Sequence, residues 1–402
     1  MLHPIRASFL AAALASPGYA HGEPAANPNG EGLWLDTLFA SGTRVTYAPG
    51  HGMTLSMTGT TDLQLNVSGQ VQPQLRYTWG EDVADTTDFA LKSARLRFAG
   101  DVQDGAFAYF LQLDAEEGQE GNGNLVDGWV AWQMNDRLRA RLGQQKMRSS
   151  LQADASLSDT DLELGQNALA TRAFAGRRST GLLLEGKVGN VVQWHAGVMN
   201  NSTAAFEFTG TQANDSNELD FTFGALTSSD QCTTEGWSEG DLAHTGEASY
   251  IAGVNVLVGN DAFPGAATDN DMLTGNAFLA GKSGRGVAAQ AELFARSDDD
   301  GTATYDSMGF YLQASYTMPP GEGTQWGYVV RASSVDIEQF TMNVGDAAIA
   351  PGKASELSVG LNAYYHQHRL KTQMMLTFLN QRPDGGTEVD STSLDLLFTL
   401  MF

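Results

Sequence analysis

The last nine residues of the chain, 394–402, read LDLLFTLMF. Every second side chain is apolar, which predicts a β-strand with one apolar face. That face consists of Leu394, Leu396, Phe398, Leu400 and Phe402. A soluble domain rarely leaves the aromatic end of an edge strand open to water. The stretch therefore favours an all-β fold in which this face meets something other than water.

An earlier stretch, 63–77, shows the same alternation over 15 residues. One face carries leucine, valine and tyrosine, and the other carries mostly glutamine, asparagine and serine. This exceeds the usual length of a globular strand, about 5–6 residues, but suits a tilted strand that crosses a bilayer. The polar face would then line a water-filled lumen.

The alternation recurs along the chain and predicts about sixteen strands. The predicted strands are 63–77, 89–100, 105–115, 125–133, 137–145, 179–188, 191–199, 218–226, 246–258, 271–281, 286–296, 305–317, 325–336, 355–364, 368–379 and 392–402. Short and long connections alternate between them, which is typical of a barrel with short turns at one end and longer loops at the other. We therefore predict a transmembrane antiparallel β-barrel of about 16 strands.

One connection, 227–245, breaks this alternation. It has 19 residues where a short turn is expected. Two explanations remain open from the sequence: a strand is misplaced there, or the turn carries an insertion.

The N-terminus has the pattern of a signal peptide. Residues 1–6 are basic, 9–15 form the apolar run FLAAALA, and small residues precede a cleavage site before His21. The terminal strand is similar to the sorting signal that the barrel-assembly machinery recognises, with Phe398, Leu400 and Phe402 as its residues. Together they predict export to the outer membrane of a Gram-negative bacterium. The predicted organisation is a signal peptide at 1–20, an N-terminal periplasmic extension at 21–62 and a transmembrane barrel at 63–402.

Composition excludes several other classes of protein. The mean hydropathy of −0.24 and the absence of a long apolar run argue against transmembrane helices, which need about 20 apolar residues. A net charge of −24 makes the chain a poor nucleic-acid binder. A single cysteine, Cys232, cannot form an internal disulfide. No catalytic grouping stands above chance, so we expect no enzyme activity, no cofactor and no metal.

Five pieces of sequence between residues 89 and 200 resemble, in the same order, motifs of the phosphate-selective porin O/P family. These are 91–100 (LKSARLRFAG), 126–130 (VDGWV), 138–146 (LRARLGQQK), 174–181 (FAGRRSTG) and 198–200 (VMN). The stretch 310–316 (FYLQASY) resembles a later strand of that family. The resemblance implies a 16-stranded barrel, usually a homotrimer, whose third loop folds into the lumen as a constriction. Here that loop is 147–176, and its entry MRSS replaces the family's usual Pro-Phe pair.

Arginines on the inner faces of two nearby strands suggest a solute. Leucine, alanine and phenylalanine take the outward positions of 89–100 and 137–145, so the intervening arginines face inward. A guanidinium matches phosphate oxygens and stays charged near neutral pH. The predicted pore-lining and anion-binding residues are Arg95, Arg97, Arg137, Arg139, Arg141, Lys146, Arg148 and Arg177. The hypothesis is passive diffusion of small anions such as phosphate or polyphosphate.

Three other interpretations stay open. Lumenal arginines can pair with acids or brace the inward loop instead of binding solute. The loop carries Asp154, Asp159, Asp161 and Glu163, and an acidic loop that faces an arginine wall is the arrangement of a general diffusion porin. A non-conducting receptor or adhesin barrel is the third. Besides small anionic solutes, the expected partners are outer-membrane lipid and lipopolysaccharide.

Overall fold

The computed structural model describes residues 43–402 except for 49, 58–61, 82, 104, 116–123, 156–161, 176–177, 201–218, 230–231, 262–269, 322, 339–341, 345–346 and 350. The predicted signal peptide at 1–20 and residues 21–42 of the predicted extension lie outside the described residues.

The described chain is built almost entirely of strands. They are β1 (Thr43–Ala48), β2 (Gly52–Met57), β3 (Leu63–Trp79), β4 (Thr86–Val102), β5 (Phe107–Asp114), β6 (Asn124–Asn135), β7 (Leu138–Lys146), β8 (Arg178–Val188), β9 (Val192–Asn200), β10 (Leu219–Ser228), β11 (Ser249–Asp261), β12 (Asn270–Lys282), β13 (Val287–Asp299), β14 (Thr304–Thr317), β15 (Gln325–Ile337), β16 (Met342–Val344), β17 (Ala347–Ile349), β18 (Gly352–His366), β19 (Leu370–Pro383) and β20 (Val389–Met401). Two short helices, α1 (Leu151–Asp154) and α2 (Leu169–Phe174), lie between β7 and β8. Within the described ranges, no helix combines the length and the apolar character that a bilayer crossing requires.

Sixteen of these strands, β3–β15 and β18–β20, pair with their neighbours and close into one antiparallel barrel. The seam joins β20 to β3, with Leu394 opposite Tyr77 and Met401 opposite Gln70. The prediction of sixteen strands is confirmed, and each predicted segment overlaps one barrel strand. The end of the barrel where β3 begins and β20 stops is called the terminal end below, and the opposite end the loop end.

A hairpin of β1 and β2 continues the barrel wall at the terminal end. β2 pairs with the first residues of β3, with Leu55 opposite Leu65. The partner of β3 changes from β2 to β20 near Gly69, whose backbone exchanges hydrogen bonds of 2.7 and 2.9 Å with Phe402. Part of the predicted extension thus pairs with the barrel sheet.

Side chains alternate between lipid and lumen as the period-2 pattern predicts. On β7, Leu142 points outward and is 57% exposed, whereas its neighbour Arg141 points inward and is 1% exposed. The inner face is not uniformly polar, however. Leu183, Met199, Leu257 and Met272 face the lumen and form a buried cluster with Met147. A barrel interior that contains such a cluster must be filled by protein.

Two long connections between strands explain how the interior of the barrel is filled. At the terminal end, β8 and β9 are joined by a tight turn, whereas β10 and β11 are joined by residues 229–248, called the inserted segment below. Its described residues contain no strand, so the sequence is interrupted by an insertion and no barrel strand has been missed. Residues 147–176, the constriction segment, connect β7 and β8 at the loop end. Both segments enter the lumen.

Candidate functional site in the lumen

Helix α2 packs the constriction segment against the inner wall of β13–β15. The ring of Phe174 stacks on Phe294 with centroids 5.9 Å apart. Phe174 fits because β14 has Gly309 opposite it: a Cβ there would lie 2.5 Å from Phe174 Cε2. Tyr311 and Val335 complete this buried cluster. Apolar packing, rather than charge alone, therefore fixes the segment across the lumen.

A buried carboxylate holds helix α1. Glu292, on the inner face of β13, accepts hydrogen bonds from Ser150 Oγ at 3.1 Å, Leu151 N at 3.1 Å and Gln152 N at 2.7 Å. These N–H groups have no partner inside the helix, and a negative charge is favourable at a helix N-terminus. Ser150 is also the N-cap, since its Oγ accepts from Ala153 N.

Cations of β15 and β19 hold the rest of the constriction segment. Arg331 Nη1 donates to the carbonyl of Gln166 at 2.8 Å, and Lys371 Nζ to that of Leu162 at 2.7 Å. Glu356 pairs with Arg331 at 3.0 Å and also with Arg172 of α2. These buried charges are structural, because each binds a carboxylate or a backbone carbonyl of the protein.

The inserted segment enters from the terminal end and buries an aromatic anchor. Trp237 is 4% exposed and packs with Leu151, Ile251 and Phe278. The Nζ of Lys282 lies 4.6 Å from its ring centroid. Contact with Leu151 means that the two segments, although they enter from opposite ends, share one core inside the barrel.

The two segments also meet through polar groups. Glu239 of the inserted segment accepts from Glu163 N at 2.7 Å and from Gln152 Nε2 at 2.8 Å, and its backbone carbonyl lies 2.9 Å from His368 Nε2. Gly240 has φ +73°, and a Cβ there would lie 2.6 Å from Glu163 Oε1. Burial and the neighbouring Glu239 carboxylate raise the pKa of Glu163 to about 8.

The first pair of predicted pore-lining arginines lies on β4 and faces inward, but both side chains are engaged. Arg95 Nε is 2.6 Å from Asp114 Oδ2 on β5. Arg97 donates to Gln112 Oε1 at 2.8 Å and also to Gln70. Both are nearly buried, so their charges are shared with the neighbouring wall.

A second group of predicted arginines forms a cluster with two glutamates. Arg141 lies 2.9 Å from Glu235 of the inserted segment and 3.0 Å from Glu185 of β8. Arg148 lies 2.6 Å from Glu185 and 2.9 Å from Glu235. Burial opposes ionisation of Glu235, but Arg148 and Arg141 hold its pKa below the usual value. Arg139 is 4.0 Å from Glu185 and less buried.

A cavity of about 260 Å³ opens beside this cluster. Its lining contains five cationic side chains and three carboxylates. These are Arg137, Arg139, Arg141, Arg148 and Lys187, with Asp136, Glu185 and Glu235. Arg137 itself is exposed in the turn before β7. The cavity is therefore the place where the predicted basic residues come closest to solvent.

The remaining predicted residues lie apart from this cluster. Lys146 Nζ donates to the carbonyl of Ala153 at 2.5 Å and so braces the constriction segment. Arg177, with Asp159 and Asp161, lies outside the described residues. Of the three predicted sorting residues, Phe398 faces outward on β20. Leu400 lies two residues before Phe402, whose backbone pairs with Gly69 at the seam.

Sequence reasoning missed the acids that meet the arginines. Glu185 lies on an inward position of β8, and its inward direction follows from the alternation that placed the arginines. The only sequence signal for the inserted segment was the unexpected length of 227–245, and it did not point to Glu235, Trp237 or Glu239 individually. Among the described residues, no three histidine, cysteine, aspartate or glutamate side chains are grouped as metal ligands would be.

Solved structures of outer-membrane channels share this fold. The anion-selective porin from Comamonas acidovorans has a TM-score of 0.59 at 14% identity, covering 85% of this chain and 100% of that chain. The channel DcaP of Acinetobacter baumannii has a TM-score of 0.55 at 12% identity, and the match covers 85% of this chain and 97% of that chain. OprB of Pseudomonas putida has a TM-score of 0.54 at 9% identity, and the match covers 89% of this chain and 100% of that chain. Identities this low establish the fold alone.

The family comparison is more specific. None of the curated proteins compared matches this sequence. The family model described as "Phosphate-selective porin O and P" matches residues 65–396, which is most of the barrel. Members of this family are channel proteins of the Gram-negative outer membrane rather than enzymes. The chain belongs to the phosphate-selective porin O and P family of outer-membrane channels.

Proposed function

We propose that this channel conducts small anions, such as phosphate or polyphosphate, by passive diffusion. The observation that carries the proposal is the cluster of Arg139, Arg141 and Arg148 beside the 260 Å³ cavity. Cations exceed carboxylates in that lining, and arginine-lined constrictions favour anions. The residues proposed to guide the solute are those predicted above: Arg95, Arg97, Arg137, Arg139, Arg141, Lys146, Arg148 and Arg177.

Arg139 is the residue of this cluster best placed to meet a solute. Its side chain is 30% exposed, compared with 1% for Arg141 and 4% for Arg148. Its closest carboxylate, that of Glu185, is 4.0 Å away. A partly solvated guanidinium with a distant partner retains most of its field for a passing ion.

A second candidate is a general diffusion porin without anion preference. The 2.6 Å pair of Arg95 and Asp114 favours it, because a paired arginine contributes little net field to the lumen. Glu235 and Glu185 likewise offset part of the charge of Arg141 and Arg148.

Planar bilayers distinguish these candidates. The full chain is inserted, and the reversal potential is measured across a KCl gradient. Anion preference that falls in Arg139→Gln supports the proposal, whereas Arg285→Gln is the matched control because Arg285 is exposed in a turn at the terminal end. A reversal potential near zero favours the general porin, and cation preference contradicts anion selectivity. Absence of conductance steps favours a receptor or adhesin barrel.

Export and assembly complete the proposal. We propose that 1–20 is removed as a signal peptide, that 21–62 is periplasmic, and that the barrel-assembly machinery inserts a homotrimer in contact with lipid and lipopolysaccharide. The family and the strand pattern support this. Mass spectrometry of the mature chain should find His21 at its N-terminus, and cross-linking in membranes should give a trimer. A mature chain beginning at Met1, or a monomer alone, contradicts these parts.

A further inference from the structure

The inserted segment is tied to the barrel wall near both of its ends. Near its start, the carbonyl of Cys232 accepts hydrogen bonds from Gln193 Nε2 of β9 at 3.1 Å and from Ser228 Oγ of β10 at 3.0 Å. Further along, the carbonyl of Leu242 accepts from Gln325 Nε2 of β15 at 3.1 Å. The wall thus holds the backbone of the segment on two sides of the lumen.

The middle of the segment runs between these sides. Glu235 pairs with Arg141 of β7 at 2.9 Å. Two residues later, the ring of Trp237 is buried against Ile251 of β11 and Phe278 of β12. The segment therefore extends across the lumen from β7 to β12.

The second half of the segment continues around the wall. Glu239 accepts from Gln290 of β13 at 2.6 Å and from Gln313 of β14 at 2.9 Å, and its backbone carbonyl lies 2.9 Å from His368 Nε2 at the turn after β18. Asp241 accepts a backbone hydrogen bond of 2.7 Å from the turn before β13. A segment opens readily only where it has few buried contacts, so anchors of this number hold it in place.

The terminal ends of the strands differ in exposure on the two sides of the barrel. Ala288, the second residue of β13, and Thr317, the last of β14, point inward and are 7% and 0% exposed. Ala288 borders a small cavity together with Trp237 and Gly240, so the inserted segment covers it. On the opposite side of the barrel, the inward residue Ala108, the second of β5, is partly exposed.

We infer that the inserted segment is a fixed floor across the terminal end of the lumen, and that solutes pass this end beside β3–β6. The anchors of the floor run from β7 to the turn after β18, whereas the inward residues Ser68, Ala99 and Ala108 of β3–β5 are partly exposed. The side of β3–β6 is called the mouth below. The inference rests on conduction through the lumen, which is part of the proposed function, but not on anion preference.

The position of the mouth also explains why Arg139 is more exposed than its neighbours. The cavity of about 260 Å³ is lined by Thr234 and Glu235 of the floor, by Arg139 and by Gln133 of β6. Gln133 is exposed, so the cavity opens toward β6 and the mouth. A solute that passes the mouth therefore meets Arg139 before it reaches Arg141, which is paired with Glu235 of the floor.

Matched cysteine variants test the floor. Ala108→Cys and Ala288→Cys each change the inward second residue of a strand that starts at the terminal end. Both are made in a full-length chain that carries Cys232→Ser, because Cys232 is its only other thiol. A small anionic thiosulfonate should label Ala108→Cys at least about tenfold faster than Ala288→Cys in the folded barrel, because a thiol under the floor reacts only when the protein opens locally.

The same reagent tests the mouth in planar bilayers. Added to the terminal side of single channels, it should lower the conductance of Ala108→Cys roughly twofold, because the attached group narrows the path of the ions. The conductance of Ala288→Cys should not change. Loss of conductance in Ala288→Cys, or none in Ala108→Cys, would overturn the assignment of the mouth.

Removal of the floor provides the complementary test. A chain in which a two-residue turn, such as Gly189-Asn190 between β8 and β9, replaces 231–246 should conduct better than the full chain and should label Ala288→Cys as fast as Ala108→Cys. Trp237→Ala is the milder variant: loss of its buried ring should speed the labelling of Ala288→Cys and leave that of Ala108→Cys unchanged. Heat-modifiable migration establishes the folded barrel in each chain.

Labelling distinguishes failure of the floor from failure of the proposed function, because it needs no current. Equal labelling of Ala108→Cys and Ala288→Cys in the otherwise intact chain would overturn the floor, whatever the shortened chain does. If the two rates differ as expected but the channel shows no anion preference, the floor stands and the proposed function fails. If the wild type prefers anions and the two rates are equal, the floor fails alone.

Discussion

The backbone N–H of Glu163 donates a 2.7 Å hydrogen bond to Oε2 of Glu239, and so joins two segments that enter the lumen from opposite ends. Within the described residues, neither carboxylate meets an arginine there. Amides of the wall are among their partners, with Gln313 Nε2 2.9 Å from Glu239 and 3.4 Å from Glu163. The interior of this barrel is thus a folded core in which charge and apolar packing act together.

This contact should make the stability of the lumen depend on pH. Burial beside Glu239 raises the pKa of Glu163 from 4.5 to about 8. A raised carboxyl pKa means that the folded state binds more protons than the unfolded state between these values, so stability is greatest at low pH and is lost as pH rises toward 8. Lys371 and Tyr364 also face Glu163, and Lys371 opposes the shift.

Denaturant unfolding of wild type and Glu163→Gln, measured at pH 5, 7 and 9, checks this. The amide does not titrate, so the wild type should lose stability relative to the variant as pH rises. Other titrating groups cancel in the comparison. Parallel stability curves for the two chains would contradict the assignment.

Because the charges around Glu356 are buried, we expect substitution of Glu356 to cause a large loss of stability. Glu356 is 1% exposed and serves both Arg331 and Arg172. Glu356→Gln leaves two guanidinium groups without a countercharge in a buried site, which costs about 3 kcal/mol of unfolding free energy. Guanidinium chloride titration of the refolded barrel measures it.

An exposed pair at the loop end gives the matched control. Lys353 and Asp336 are 3.2 Å apart but 72% and 45% exposed. Asp336→Asn should change stability by less than about 0.5 kcal/mol, because solvent screens such pairs. Similar effects of the two substitutions would argue against a structural role for Glu356.

Strand positions and directions were predictable because lipid imposes them. The terminal Phe402 strand and the inward direction of Arg95 and Arg141 follow from a period of 2, which holds wherever one face must be apolar. What each arginine meets could not be predicted in the same way. Asp114 lies 19 residues from Arg95, and Glu235 lies 94 residues from Arg141. Such pairings depend on the closed barrel and not on local sequence.

The apolar patches inside the lumen could not be predicted from the sequence either. Phe294 and Leu183 lie at inward positions of β13 and β8, where a water-filled pore would favour polar residues. They are explained only by Phe174 and Met147, which arrive from the constriction segment. An apolar residue at an inward position thus indicates a lumenal segment, but not which one.

Gly309 should be required for seating the constriction segment. Gly309→Ala puts a methyl group 2.5 Å from the ring of Phe174, which cannot turn aside because it is stacked on Phe294. Overpacking of this kind costs about 1–3 kcal/mol. Unfolding free energy and trypsin cleavage after Arg172 both measure the effect.

Gly275→Ala is its control, because the nearest atom to the added methyl group is 3.9 Å away. That variant should be as stable as wild type or slightly more stable. Enhanced cleavage after Arg172 in both variants, or in neither, would show that Gly309 does not position α2.

The ring of Phe402 should matter for barrel closure. Its backbone exchanges two hydrogen bonds with Gly69, and a Cβ at Gly69 would lie 2.8 Å from the ring, so the ring covers the point where β2 replaces β20. Phe402→Ala keeps the backbone bonds but uncovers this junction, and should reduce the heat-modifiable fraction in outer membranes severalfold. Phe402→Tyr keeps the ring and should assemble as wild type. If the alanine variant assembles as well as the tyrosine variant, the backbone pairing with Gly69 closes the seam and the aromatic ring is dispensable.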